Sequence, residues 1–287
     1  MSVLRIFIIF SLLVFLLLTH VENSFLVAFC EQICNIFAMS SHRDFEKQLN
    51  NFRKEVSVIS SYLYADFSIN HAASKSKKIL NRLNETPLFW NTVSAALQTA
   101  AYIALGRVFD QHKESRYTID KLLCSAESNI ASFQREALAG RKRHDSQNPN
   151  PSWLKQYLDE AYYPSQKDFN KLKKKVVHHR AIYIKAIKPA RNKYIAHREK
   201  TEANDVSALF GRGKVKDLYQ LSMFLHQLHG ILWQLFYNGK RPVFNRRRYS
   251  INAIFRDADG SAAHEYIVKE TKQVMQFLEG SKAKKTF

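Results

Sequence analysis

The chain has 287 residues, of which 46% are hydrophobic, so it can form a sizeable core as one large domain or two small ones. Eight glycines and six prolines are too few for the many turns of an all-β fold, and the long amphipathic stretches predict helices instead. Lysine and arginine total 44 against 25 acidic residues, which gives a formal net charge of +19. This excess favours a polyanionic partner, either nucleic acid or an anionic membrane surface, over a basic protein without one.

Three cysteines exclude a disulfide framework and a paired zinc motif. Cys30 and Cys34 lie four residues apart, but two thiols cannot complete a tetrahedral zinc site, and Cys124 is far along the chain. The sequence therefore indicates a reducing compartment, and it predicts neither a metal nor a cofactor.

An apolar run at residues 6–18 follows Arg5. At 13 residues it is shorter than the roughly 20 needed to span a bilayer, and no clean signal-cleavage site follows it. Three interpretations remain open: an over-extended start with Met39 as the true first residue, a membrane anchor, or a cleaved signal. The first is favoured, and it predicts a cytoplasmic protein, whereas the second predicts tethering through residues 6–18.

From Met39 onward, helical periodicity dominates the sequence. Phe45, Leu49, Phe52, Val56, Ile59 and Leu63 recur at spacings of three and four, as on one face of a helix. Thr86-Pro87 predicts the start of a helix that continues to Asp110, and its richness in alanine favours a central, buried position. Ser165 with Asp168 predicts a capping box, and Gly239 predicts a helix stop.

The remaining predicted helices are 76–83, 118–137, 153–162, 165 to Pro189, 217–237 and 262–278, with a polar loop at 140–152. This pattern predicts an all-α helical bundle at 39–240, preceded by an apolar leader at 1–38 and followed by a basic C-terminal extension at 241–287.

The segment Arg191 to His197 carries the residue types needed for metal-free phosphodiester cleavage. Arginine gives a permanent forked donor for phosphate, histidine can move a proton near neutral pH, and Asn192 adds a neutral donor and acceptor. On an ideal helix, Arg191 and His197 would stand about 120° apart, so a break at Pro189 or a second subunit would be needed to unite them. Spacing alone also allows a solvated helix end, and Arg107 to His112 provides a second match of similar spacing.

Arg191-Asn192-Lys193-Tyr194-Ile195-Ala196-His197 resembles the R-N-x4-H motif of the HEPN superfamily, helical bundles of which many are metal-independent RNases. Phe89-Trp90-Asn91 and the L-x-R-x-F-D stretch from Leu105 to Asp110 resemble its abortive-infection U-type branch. The resemblance spans roughly Phe45–Tyr237. It implies catalytic roles for Arg191 and His197, a polar supporting position for Asn192, and a homodimer that pairs the two motifs.

Other basic residues are candidates for RNA contact. They are Lys173, Lys174 and Lys175, Lys193, and Arg246, Arg247 and Arg248 beside Tyr249. A solvated basic face is the favoured interpretation of Lys173 to His179, and an exposed turn is an equal alternative for Arg246–Arg248. His226 and His229 are interpreted as packed or surface histidines rather than metal ligands. Arg107 and Asp110 are expected to form an ion pair one helical turn apart.

The favoured function is a metal-independent endoribonuclease of the abortive-infection or toxin class, which cleaves RNA by attack of its own 2′-hydroxyl. The alternative is a non-catalytic helical module that binds RNA or protein, with or without a membrane tether. An antitoxin or another protein partner is a further expectation from the resemblance.

Overall fold

The structure is a computed structural model that describes residues 23–112, 114–115, 118–146, 148, 151–192, 214–245 and 262–280, without the side chains of residues 23–43 and 262–265. All regular structure in these ranges is helical, and they contain no β-strand. The prediction of an all-α fold is confirmed.

The helices, in chain order, are α1 (Asn23–Lys75), α2 (Lys77–Glu85), α3 (Pro87–Phe109), α4 (Ile119–Ser128), α5 (Arg135–His144), α6 (Leu154–Glu160), α7 (Gln166–Ala186), α8 (Lys188–Ala190), α9 (Val215–Asn238) and α10 (Ala262–Leu278). A short 3₁₀ helix, Ile130–Phe133, lies between α4 and α5.

The chain divides into two compact units, Met1–Asp44 and Phe45–Phe287. In the first unit, the described residues are helical from Asn23 onward. The second unit contains the hydrophobic core and every contact discussed below.

The core of the second unit begins with the predicted apolar stripe of α1, all six members of which are at most 2% exposed. This stripe belongs to the same cluster as apolar residues of α3, α4, α7 and α9. Four phenylalanine rings pack edge to face or tilted at its centre, with neighbouring centroids 4.9–5.4 Å apart: Phe45, Phe133, Phe169 and Phe236. The core therefore fixes α7 against α4, α9 and the end of α3.

Several predicted boundaries are confirmed. Ser165 and Asp168 form the reciprocal capping box at the start of α7, and Gly239 ends α9 in the left-handed conformation at φ +54°. The last helix spans 262–278 as predicted, and its Leu278 packs against Ile79 and Leu83 of α2.

The predicted helix at 118–137 is wrong, because the chain turns twice within it. The helix α4 ends at Ser128, and the following 3₁₀ turn directs Phe133 into the core. The predicted loop at 140–152 is also too long, because α5 continues to His144. Arg141 is half-buried, and its guanidinium lies 4.2 Å from the centroid of the Phe236 ring.

The helix α3 is central only near its C-terminal end. Its buried residues begin at Ala101, whereas Leu88 and Phe89 near its start are 81% and 59% exposed. Pro87 occupies the first turn as predicted, but Thr86 makes no side-chain capping hydrogen bond.

No helix in the described ranges is long and apolar enough to cross a lipid bilayer, and the apolar run at residues 6–18 lies outside them.

Candidate active site around Arg191

One face of α7 and its continuation is directed at the C-terminal end of α3. Arg180, Tyr183, Ile187 and Arg191 recur at spacings of three, four and four, which places them on one side of a helix. The backbone stays helical through Pro189: the amide of Arg191 donates to the carbonyl of Ile187 at 3.1 Å, with φ −59° and ψ −49° at Arg191. The sequence predicted that Pro189 ends or kinks the preceding helix. In the structure α7 ends at Ala186, and the helical path resumes in α8 and carries Arg191 inward.

Arg191 is held by a network of three side chains. Its Nη1 donates to Oδ2 of Asp110 at 2.5 Å and to the hydroxyl oxygen of Tyr183 at 2.7 Å. The Tyr183 hydroxyl in turn donates to Oδ1 of Asp110 at 3.1 Å. Asp110 thus holds Nη1 directly through Oδ2 and holds Tyr183, the second acceptor of Nη1, through Oδ1.

The guanidinium lies directly against Gly106 of α3. A Cβ atom placed on Gly106 would come within 2.7 Å of Cζ and 2.8 Å of Nε of Arg191. Cβ contacts this short are essentially never seen, so any side chain at position 106 would force Arg191 to shift from this position.

Arg180 secures the end of α3 that presents Asp110. Its Nε donates to the carbonyl of Phe109 at 3.2 Å, and its Nη2 donates to Asp120 at 2.6 Å. A cation at the last carbonyls of a helix is also favoured by the helix dipole. The ring of Phe109 stacks on Tyr183 with centroids 5.4 Å apart, so the ends of α3 and α7 are joined by both polar and apolar contacts.

Burial and charge determine the protonation of the network. Burial raises the pKa of Tyr183 to about 12, so the phenol is protonated and can donate to Asp110 at neutral pH. Burial by itself would lower the pKa of Arg191, but the neighbouring Tyr183 and Asp110 outweigh it and the pKa is raised. Arg191 is therefore a permanent, positioned cation.

Only part of the guanidinium is occupied by this network. Among the described residues, Nε and Nη2 of Arg191 have no hydrogen-bond partner, and the side chain is 22% exposed. Nε and Nη2 carry three N–H bonds, and arginine presents such donors in a plane that matches phosphate oxygens.

The family of the chain is shown by its sequence. A model of the HEPN_AbiU2 family, described as AbiU2, matches residues 43–252, which include the Leu105–Asp110 stretch and the Arg191–His197 motif. The chain belongs to the AbiU2 family of HEPN proteins. Comparison with curated proteins and with solved structures gives no match.

In this AbiU2 protein, the expected ion pair between Arg107 and Asp110 is wrong. Arg107 points to the surface, where Nη2 and Nε donate to Oε2 of Glu55 at 2.8 and 3.0 Å. Asp110 is the C-terminal cap residue of α3 and turns toward Arg191 instead. The arginine and the aspartate of the L-x-R-x-F-D stretch therefore make different contacts.

The structure places only some of the predicted site residues. Asn192 follows Arg191 and is partly exposed, whereas His197, Lys193 and Arg246–Arg248 lie outside the described residues. On α7, Lys174 and Lys175 are exposed, and Lys173 forms an ion pair with Glu127. Whether these residues form one site remains a prediction.

Only one of the two histidines of α7 lies on the solvated face that the sequence predicted. His178 is exposed, but the ring of His179 stacks on Phe224 with centroids 3.8 Å apart. Burial lowers the pKa of His179 to about 4, so it is neutral at physiological pH and adds no positive charge.

The histidines of α9 were interpreted as packed or surface residues, and the structure shows both in packed positions, His226 half-buried and His229 buried. His226 Nε2 lies 2.5 Å from Oγ of the buried Ser60. His229 is 6% exposed, and burial lowers its pKa to about 4. No group of three histidine, cysteine or acidic side chains in the described ranges is placed to hold a metal ion.

Sequence reasoning missed Tyr183, Gly106 and Arg180. The three-four-four spacing from Arg180 to Arg191 was a signal for a shared face, and a glycine within the last turns of α3 was a signal for a close approach. Neither signal identifies the contacting residue, because the hydrogen bonds between α7 with its continuation and the end of α3 join residues that are 71 to 81 positions apart.

Proposed function

We propose that this AbiU2 protein is a metal-independent endoribonuclease in which Arg191 and His197 act on one phosphodiester. The observation that carries the proposal is the placement of Arg191, whose Nη1 is fixed by Asp110 and Tyr183. We assign Nε and Nη2, which have no partner among the described residues, to the phosphate. A preorganised cation costs no reorganisation when charge develops in the transition state. The histidine role follows from the HEPN motif.

The proposed reaction uses a nucleophile from the RNA itself. The 2′-oxygen bonds to the adjacent phosphorus and loses its proton, while the bond to the 5′-oxygen of the next nucleotide breaks and that oxygen gains a proton. His197 carries one of these proton transfers, and Arg191 balances the charge on the phosphate oxygens. The products are a 2′,3′-cyclic phosphate and a 5′-hydroxyl.

A surface of α7 suits the RNA backbone. Lys167, Lys171, Lys174, His178, Lys185 and Lys188 are exposed and recur on the outward face of α7 and α8; we call them the lysine stripe. The one acidic residue of α7 is Asp168, which lies 3.7 Å from Lys171. Successive cations along one helix face neutralise successive phosphates, which favours RNA as the polyanion.

The proposal includes two further expectations from the HEPN resemblance. Two subunits pair their Arg191–His197 motifs in a homodimer, and cleavage of cellular RNA provides the toxin activity of an abortive-infection system, with an antitoxin or another partner controlling it.

Two arginines provide a matched test. Arg191→Ala removes the positioned cation and should reduce the rate of RNA cleavage on the order of 10²-fold or more, because a charge-stabilising donor is lost. Arg107→Ala removes only an exposed ion pair and should leave both cleavage and the melting temperature nearly unchanged. Cleavage of total RNA in EDTA by the two purified variants measures the difference, and equal rates would refute the assignment of Arg191.

A non-catalytic RNA-binding module is the second candidate, because the lysine stripe requires no chemistry. The binding-module function would replace the endoribonuclease if wild-type protein binds RNA in a gel-shift assay and leaves the RNA intact.

A further inference from the structure

A pocket lined by both polar and apolar side chains lies between α1, α3 and α9. It has a volume of about 450 Å³ and is formed by the second half of α1, the middle of α3 and the beginning of α9. Asp66, Gln98 and Tyr102 line it together with the rings of Phe67 and Tyr219, and the exposed Asn70 and His71 border it. We call it the Asp66 pocket.

The carboxylate of Asp66 lines this pocket and has only neutral partners. The residue is 2% exposed; Oδ1 accepts from Ser94 Oγ at 2.5 Å and from Asn70 Nδ2 at 3.3 Å, and Oδ2 accepts from Gln98 Nε2 at 3.1 Å. No lysine or arginine of the described residues lies within ion-pair distance of it. Burial raises the pKa of Asp66, although the three hydrogen bonds favour its ionised form. A buried carboxylate with hydrogen bonds but no cation beside it is still costly, which points to a ligand that brings further donors.

The residues that line the pocket favour a flat ligand with adjacent N–H groups. Ser94 and Gln98 each occupy one lone-pair site of the carboxylate, one on each oxygen, and the exposed Asn70 occupies a third at the long distance of 3.3 Å. A ligand that displaces Asn70 can therefore place one donor on each oxygen. The rings of Phe67 and Tyr219, with centroids 4.6 Å apart, supply an aromatic wall. Bases stack on such walls, and the volume accommodates a purine.

We propose that the Asp66 pocket binds a guanine base. Guanine alone among the RNA bases presents two adjacent donors, N1–H and the N2 amino group, on its pairing edge, and they match the two oxygens of a carboxylate. Adenine, cytosine and uracil place an acceptor beside their donor on that edge. A small cation could also meet Asp66, but a chain of net charge +19 repels it and attracts nucleotides.

The pocket is near enough to Arg191 to affect where RNA is cut. Gln98 and Gly106 lie eight residues apart on α3, which is about 12 Å along the helix axis. A single strand of RNA spans this distance within a few nucleotides. A guanine seated at Asp66 therefore selects the phosphate presented to Arg191; this part of the inference rests on the proposed function, whereas guanine binding itself does not.

Calorimetric titration of the full chain with mononucleotides tests the recognition. GMP, IMP and AMP share the same phosphate, so contacts with the lysine stripe cancel in the comparison. GMP should bind at least about tenfold more tightly than IMP, which lacks the N2 amino group, and than AMP, because each lost hydrogen bond to a carboxylate costs that much. A parallel titration uses 2′-O-methyl oligonucleotides with and without one guanine, and it shows whether the pocket binds guanine within RNA or only as a free nucleotide. These oligonucleotides cannot be cleaved by 2′-hydroxyl attack, so cleavage does not affect the titration.

A substitution at Asp66 should change which nucleotide the pocket prefers, rather than only weaken binding. Asp66→Asn replaces one acceptor by a donor, so it should bind XMP, which carries a carbonyl at C2, more tightly than GMP. Asp159→Asn, in an exposed ion pair with Arg135, is the control and should keep the guanine preference. If GMP, IMP and AMP bind equally, if neither GMP nor guanine-containing RNA binds, or if spermidine binds in place of GMP, the proposal is overturned. A preserved guanine preference without any RNA cleavage would refute the endoribonuclease and leave the pocket assignment intact.

Discussion

The guanidinium of Arg191 is positioned by contacts of different physical kinds. Asp110 contributes charge, Tyr183 contributes a protonated hydroxyl, and Gly106 contributes the space left by a missing side chain. The charge and the hydroxyl hold one nitrogen, and the space lets the plane of the group lie on α3. Loss of any of them should move the remaining donors relative to a bound phosphate.

Gly106→Ala tests the placement without touching a charged group. The new methyl group would overlap Arg191 and displace it by about an ångström or more, and a misplacement of this size costs on the order of 10²-fold in rate. Gly140→Ala is the control, because nothing lies within 4 Å of a Cβ atom at that position. Initial rates of RNA cleavage should fall for the first variant only. Equal rates for both would show that the position of Arg191 is unimportant for activity.

At this scale, the sequence identified candidates but not their partners. Spacing suggested Arg107 as the partner of Asp110, because local pairs on one helix are the only ones a spacing argument can see. The actual partners, Glu55 for Arg107 and Arg191 for Asp110, are 52 and 81 residues away. Asp66 gave no signal at all, since its burial depends on how α1 packs against α3.

Among the helices, ends with specific cap chemistry were predictable. The Ser165–Asp168 box and the Gly239 stop depend on residues within a few positions of each other, so the sequence contains all the information. The break after Ser128 was not predictable, because the apolar spacing continues across it. Packing of Phe133 among Phe45, Phe169 and Phe236 decides that turn.

Gly230 within α9 and Gly239 at its C-terminal end allow the effect of the cap on stability to be measured apart from the effect of helix propensity. Gly239→Ala should lower the free energy of unfolding by about 2 kcal/mol, because φ is +54° and the new methyl would lie 2.8 Å from Cδ2 of Leu138. Gly230→Ala has open space in the helix interior and should raise it by up to about 1 kcal/mol. Urea denaturation measures both. A stabilised Gly239→Ala variant would contradict the assigned cap.

Over the whole molecule, the basic residues behind the net charge of +19 serve different purposes. Some cations are committed to structure, such as Arg180 to Asp120 and Lys173 to Glu127, whereas most of the lysine stripe faces solvent. The sequence predicted a polyanion partner from charge alone. It could not separate the structural cations from the exposed ones, because that division depends on which face of α7 is buried.

The salt dependence of RNA binding tests the lysine stripe. Replacing Lys167, Lys171 and Lys174 by glutamine should reduce the slope of log affinity against log salt concentration by about 2, since each phosphate contact on a single strand contributes about 0.7. The same change at Lys155, Lys269 and Lys272, which are exposed on α6 and α10, should leave the slope unchanged. Filter binding at several salt concentrations gives both values. Equal slopes for the two triple variants would exclude the stripe as the RNA surface.

The central claim is that Arg191 and His197 form one phosphodiesterase site, and His197→Ala tests it most directly. Wild-type protein and the variant are incubated with RNA in EDTA, and the rate of cleavage and the product ends are measured. We expect cleavage to fall on the order of 10²–10⁴-fold in the variant with RNA binding and helical content retained, because the imidazole acts on a proton in the transition state. The wild-type products should end in a cyclic phosphate, and 2′-O-methyl RNA should stay intact. A His197→Ala variant that cleaves as fast as the wild type would contradict the account.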